Sequence, residues 1–115
     1  MNYNEVAQEM RSAATALYKA APDTMAAFQG VMKAASKEAA LSSKVKELMA
    51  VAISIADRCE GCIIFHVQNA IRHGASREEL ADTISVAIEM GGGPATVYGA
   101  KAWFCRKFAW RLSGI

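Results

Sequence analysis

Residues 42–74 read SSKVKELMAVAISIADRCEGCIIFHVQNAIRHG, and the parsing of this stretch sets the architecture. Ser42 or Ser43 suits the N-cap of a helix, because a serine oxygen accepts from the free N–H groups of a first turn. That helix runs to about Asp57. Its Val45, Leu48, Met49, Ala52, Ile53, Ile55 and Ala56 cover more than one face, the pattern of a central, buried helix. A second helix begins around Cys59 or Glu60 and stops at Gly74, a residue suited to a left-handed cap. Its Ile63, Val67 and Ile71 recur at helical spacing.

The same periodicity extends in both directions. Tyr3, Val6, Met10, Ala13 and Leu17 stripe one helix before it. Pro22 opens another, in which Met25, Phe28, Met32 and Ala35 share a face. Downstream, Ser76-Arg77-Glu78-Glu79 forms a capping box ahead of Leu80, Ile84, Ala87 and Ile88. Gly91-Gly92-Gly93-Pro94 ends that helix abruptly. A last helix from about Ala95 carries Tyr98, Trp103, Phe104, Phe108 and Trp110, pointing in several directions. An oligomer interface accounts for aromatics that one small monomer cannot easily cover; a C-terminal helix lying under a loop is the alternative. The expectation is an all-α, single-domain bundle of about six helices spanning residues 1–115.

Composition narrows the function. A chain of 115 residues, 53% apolar, can bury a core without a metal or disulfide. The net charge is only +2, and the thirteen Lys and Arg are dispersed, so nucleic acid is not an expected partner. Val51 to Ala56 is the longest apolar stretch, too short to span a bilayer. Met1-Asn2-Tyr3-Asn4-Glu5 does not resemble a signal peptide. A cytoplasmic, reducing compartment follows as the default, and there two cysteines at this spacing serve catalysis or metal binding more often than structure.

Cys59 and Cys62 sit three positions apart at a helix start, so the sulfurs can approach and close a small disulfide. Free N–H groups and the positive end of the helix dipole favour a thiolate there. Gly61 keeps a side chain from crowding the pair. His66 follows Cys62 by four residues on the same face, where an imidazole can take and return a proton. Asn69 and His73 continue the polar row, with His73 read as a surface histidine at the helix end. Glu47 lies away from the main apolar face, near Ala50, Val51 and Ser54. Taken alone it reads as a solvated glutamate; covered by another helix, it can orient His66 or relay its proton. Along a straight helix Glu47 and Cys59 would lie about 18 Å apart at roughly 1.5 Å per residue. Their meeting requires a steep helix crossing, a bend, or a neighbouring subunit.

The pattern Glu47, eleven residues, Cys59-x-x-Cys62, three residues, His66 resembles the signature of the AhpD-like alkylhydroperoxidase branch of the carboxymuconolactone decarboxylase family. The Arg58-Cys59 pair and the stretch Gly92-Gly93-Pro94-Ala95-x-x-Tyr98 are similar to the family as well. The resemblance implies an all-α fold assembling as homotrimers or homohexamers. It also implies a peroxidatic and resolving pair in Cys59 and Cys62, with Glu47 and His66 as a proton relay. A peroxide would be the substrate, an external thiol or dithiol protein the reductant, and no cofactor is called for. Cys62 is the cysteine tied most directly to His66, but spacing does not order the attack, and Cys59 can equally be the more exposed thiol. In one respect the chain departs from the pattern: some members carry a second histidine where Gly61 stands. Two other readings compete. One is a zinc site of Cys59, Cys62 and His66 completed by Asp57 or His73. The other is a non-catalytic assembly module, whose small buried cysteine is best exemplified by Cys105.

Overall fold

The computed structural model describes residues 2–112, with side chains placed up to residue 108, so Trp110's side chain lies outside the described set. Among these residues all regular secondary structure is helical, as expected. The helices are α1 (Tyr3–Ala20), α2 (Pro22–Ser36), α3 (Ser43–Ala56), α4 (Glu60–Arg72), α5 (Arg77–Gly91) and α6 (Gly93–Leu112). Each start is chemically marked. Asn2 accepts from Asn4 N–H at α1, Pro22 takes the first position of α2, and Ser42 accepts from Val45 N–H at α3. At α5 the capping box is complete: Ser76 Oγ accepts from Glu79 N–H at 3.0 Å, and Glu79 Oε1 accepts from Ser76 N–H at 2.9 Å.

The helix ends are equally specific. α4 stops in a Schellman motif, with Gly74 at φ +89° and Ala75 N–H donating to the Ala70 carbonyl. α3 ends in the same pattern, Arg58 N–H donating to Ile55 and Cys59 N–H to Ser54, but its left-handed residue is Arg58 at φ +55°. A β-carbon is disfavoured there, so tertiary packing sets this reversal against local preference. α6 starts two residues earlier than expected, because Gly92 at φ +70° makes the break and Pro94 is tolerated in a first turn.

The core is built by four helices. Val51 and Ile55 of α3, Ile63 and Val67 of α4, Leu80 of α5 and Ala102 of α6 are sealed from solvent. Several expected faces behave otherwise. α3 is not buried all round: its neighbours α4 and α5 cover the arc through Glu47, Val51, Ser54 and Ile55, leaving Val45, Met49 and Ile53 exposed. Of the α1 stripe, Tyr3 is buried and Val6 packs partly against the core, while Leu17 is exposed; Ala7, outside the stripe, is buried as well. α2 buries no residue, and its Phe28 is 61% exposed. On α6, Tyr98, Trp103 and Phe108 pack partly against the core, and Tyr3 covers part of Phe104 with ring centroids 5.7 Å apart. Tyr3 at the start of α1, not a loop, packs on Phe104 and Phe108.

Glu79 also reaches Lys44 at 2.9 Å, tying the start of α3 to the start of α5. The Ser76 N–H and the Lys44 ammonium hold its carboxyl below the usual glutamate range. Its stabilising effect is therefore complete above the ordinary glutamate pKa and fades as pH falls through the depressed value. Ser76→Ala should cost about 1 kcal/mol in urea unfolding. Glu79→Ala should lower the urea midpoint at neutral pH, and the gap to wild type should close in acid; a gap persisting in strong acid would show that the charge is not responsible.

Candidate functional site

Two helix termini and one buried carboxylate build the site. The α3 reversal delivers Cys59 to the N-cap of α4, where its sulfur accepts from Cys62 N–H at 3.2 Å. The pair is closed as a disulfide, with sulfurs 2.09 Å apart and Cα atoms 5.2 Å apart. Cys62 is the more exposed residue of the pair and Cys59 is half-buried, against the alternative that Cys59 is the more exposed.

One turn on, His66 Nδ1 lies 2.7 Å from Glu47 Oε2. An ionised carboxylate only accepts, so Nδ1 carries the hydrogen and a neutral ring leaves Nε2 free to take a proton. Glu47 is only 6% exposed. The solvated-glutamate expectation is thus overturned, because α4 packs over the small-residue face of α3 formed by Ala50 and Ser54. The contact forms within one chain, so no second subunit is needed to complete it. A buried carboxylate requires a compensating partner, and the imidazole supplies one.

Cys62, His66 and Glu47 open on a common groove of about 1030 Å³, walled by Phe65 of α4 and by Phe28 and Met32 of α2. A second groove of about 820 Å³ adjoins it, sharing Gly61 and Phe65 and adding Met10 and Tyr18 of α1. Gly61 has a steric reason to be glycine: a β-carbon there would come within 2.7 Å of Met10 Sδ. The Met10 side chain of α1 therefore fills the space beside Gly61 and would have to shift to admit a larger residue.

The remaining candidates separate. Asn69 lines the groove, whereas His73 is exposed at the α4 C-cap, as a surface histidine should be. Cys105 is buried, donates to the Ala102 carbonyl, and burial pushes its thiol pKa up to about 12. It behaves as a small apolar residue. Among the described residues no three His, Cys, Asp or Glu side chains come together to hold a metal ion. Sequence reasoning missed two contributors: the α2 wall, because no spacing rule reports groove formation, and Lys101, whose Nζ lies 2.9 Å from Glu60 Oε2. A lysine midway along an aromatic helix carries no signal of a partner so distant in sequence.

The chain has recognisable relatives. A model of the carboxymuconolactone decarboxylase family matches residues 22–104. An uncharacterized protein of Cupriavidus necator is 51% identical over 87 residues, 76% of this chain and 77% of that protein. An uncharacterized protein of the cox locus of Paracoccus denitrificans is 38% identical over 66% of this chain and 68% of its own. The crystal structure of a carboxymuconolactone decarboxylase family protein from Legionella pneumophila, in its apo form, superposes with a TM-score of 0.90 at 36% identity, covering 93% of this chain and 96% of that one. A family structure from Thermotoga maritima superposes at 0.82 with 23% identity, over 94% and 92% of the two chains, and shows the shared fold.

The Glu47–His66 contact should be energetic. In a double-mutant cycle of Glu47→Ala and His66→Ala, urea unfolding should show a coupling of about 1.5–3 kcal/mol, the range for a hydrogen bond to a charged group. Additive single effects would show that the contact is incidental.

Proposed function

The chain belongs to the carboxymuconolactone decarboxylase family, and from that premise we propose that it is a thiol-dependent peroxidase or disulfide oxidoreductase of the AhpD-like branch. The observation that carries the reading is the buried Glu47–His66 hydrogen bond at a groove that also exposes Cys62. A histidine oriented by a carboxylate, one turn from a cysteine at a helix N-terminus, has the parts of an activated nucleophile. The Thermotoga maritima protein, whose description raises an antioxidative role without assigning it, is compatible with this reading.

In the reduced protein His66 Nε2 takes the Cys62 proton while Glu47 holds Nδ1. The Cys62 thiolate attacks the peroxide oxygen; the S–O bond forms, the O–O bond breaks, and the departing oxygen leaves as alcohol or water with the proton from His66. Cys59 then attacks the Cys62 sulfenic sulfur. The S–S bond forms, the S–O bond breaks, and the expelled hydroxide takes the Cys59 proton as water. A disulfide at Cys59–Cys62 is the oxidised end of this cycle. An external dithiol restores both thiols and is itself oxidised. A reducing compartment such as the cytoplasm supplies that reductant; among the described residues no helix is long and apolar enough to cross a membrane. The same reading takes the working form to be a homotrimer or homohexamer, supported by the exposed apolar row of Val45, Met49 and Ile53.

Peroxide treatment of the reduced protein should remove two of the three thiols per chain, Cys105 being the survivor, and a dithiol should return them. Cys59→Ser and Cys62→Ser should each abolish disulfide closure. His66→Ala should slow it by about 10²-fold, the lower end for a lost general base. Thiols indifferent to both hydrogen peroxide and organic hydroperoxides would sink the peroxidase reading. Light scattering at micromolar chain concentration should report an assembly; a purely monomeric mass would refute that part.

A further inference from the structure

A second electrostatic contact lies at the start of α4 and joins it to α6. Glu60 lies between Cys59 and Gly61, so its carboxylate belongs to the redox loop itself. A fixed negative charge beside a thiol opposes thiolate formation. Glu60 does not face solvent alone: Lys101 Nζ of α6 lies 2.9 Å from its Oε2. Lys101 is held in turn. Its ammonium lies 5.1 Å from the Tyr98 ring centroid, in the range of a cation–π contact, and the next residue, Ala102, is anchored in the core.

We propose that Lys101 is a positioning residue for the Cys59–Cys62 pair, acting through Glu60: it offsets the carboxylate built into the loop and so keeps the first thiol easier to ionise. The inference rests on the thiol-redox reading of the pair and adds a residue that the Glu/Cys/His pattern does not contain. Around the loop, α1 contributes Tyr3; α3 and its connection contribute Glu47, Asp57 and Arg58; α4 contributes Glu60 and His66; α6 contributes Tyr98 and Lys101. Lys33 of α2 and Lys46 of α3 line the groove that Cys62 opens on, and Arg11, Lys19 and Arg72 line the adjoining one, none with a carboxylate of the loop as its partner among the described ion pairs. Glu47 is engaged by His66, and Asp57 and Arg58 are exposed neighbours of opposite sign. Glu60 is thus the loop's own carboxylate, and Lys101 the cation that meets it.

Two pKa directions agree with this geometry. The hydrogen bond to Glu60 raises Lys101 above the ordinary lysine value. Burial raises Tyr3, and Lys101 works against that rise, so the ammonium's influence extends to the α1 phenol. A half-exposed ion pair contributes little to folding stability. Its effect on the neighbouring thiols is therefore where its influence should be read.

The test uses the whole reduced chain and no peroxide. Iodoacetamide alkylation of Cys59 and Cys62 is followed against pH by mass spectrometry in wild type, Lys101→Met, Lys101→Arg and Glu60→Gln. Cys105, buried with its thiol pushed up to about 12, stays silent. Lys101→Met leaves the Glu60 carboxylate unpaired and should raise the lower apparent thiol midpoint by roughly half a pH unit, about threefold slower labelling below it. Glu60→Gln leaves the ammonium unpaired and should lower the midpoint by a similar amount. Lys101→Arg should match wild type. Opposite shifts are the signature of charge, because a merely structural tether would move both variants the same way. Shifts of the same sign, or none in either variant, overturn the proposal. A chain inert to peroxide would still give this readout, so the two readings fail separately.

Discussion

The turn from α3 into α4 carries more constraint than any other part of the chain. Within Asp57, Arg58 and Cys59 it must end one helix, cap the next, and return the chain so that two apolar faces meet. The donated amides of Arg58 and Cys59 close the last turn of α3, and the Cys59 sulfur opens α4. Arg58 adopts a left-handed backbone that a glycine would accept without strain. The conformation persists because Val51 and Ile55 pack against the face of Ile63 and Val67. Core burial thus holds the cysteine at the cap, and the position of the chemistry follows from packing several residues away.

The same packing places Glu47 where water cannot reach it freely. A carboxylate in that setting would be a liability without a donor, and His66 is the donor within reach. The arrangement answers two needs at once: it satisfies a buried charge, and it fixes which imidazole nitrogen points away toward the groove. Orientation of a histidine by a partner on its second nitrogen is a general way of setting its tautomer. Here that partner comes from a different helix, so the tautomer depends on the α3–α4 contact.

Much of this was legible in the residues alone. Ser42, Ser76 with Glu79, and Gly74 announce helix termini through local chemistry, and the structure uses all of them. The spacing of Cys62 and His66 correctly puts them on one helix face. What sequence could not show was which of several apolar rows would find a neighbour. Val45, Met49 and Ile53 read like core residues as well as Ile55 does, whereas Val51, placed by sequence beside Glu47 on the small-residue side, is fully enclosed, because periodicity reports a face and not its cover. Glu47 posed the inverse problem, a polar residue on a small-residue face whose burial depended on a helix arriving from elsewhere. Lys101 and Met10 joined the site through contacts made only after folding, and no local rule anticipates those.

α2 has a consequence of a different kind. It forms one wall of the groove, yet it buries no side chain of its own. Apart from the Ser36 carbonyl at its end, which accepts from Ser43 Oγ of α3 at 3.0 Å, little ties it to the body, and little apolar burial resists its separation. Local opening free energies span the whole range up to global stability, and an element of this sort belongs at the low end. Its amides should exchange with solvent well before those of α4, whose Ile63, Val67, Ala70 and Ile71 are enclosed. The groove thus has one enclosed side, α4, and one lightly buried side, α2; on the proposed thiol-redox reading, differences in guest size are met on the α2 side and the Glu47–His66 geometry is kept on the other.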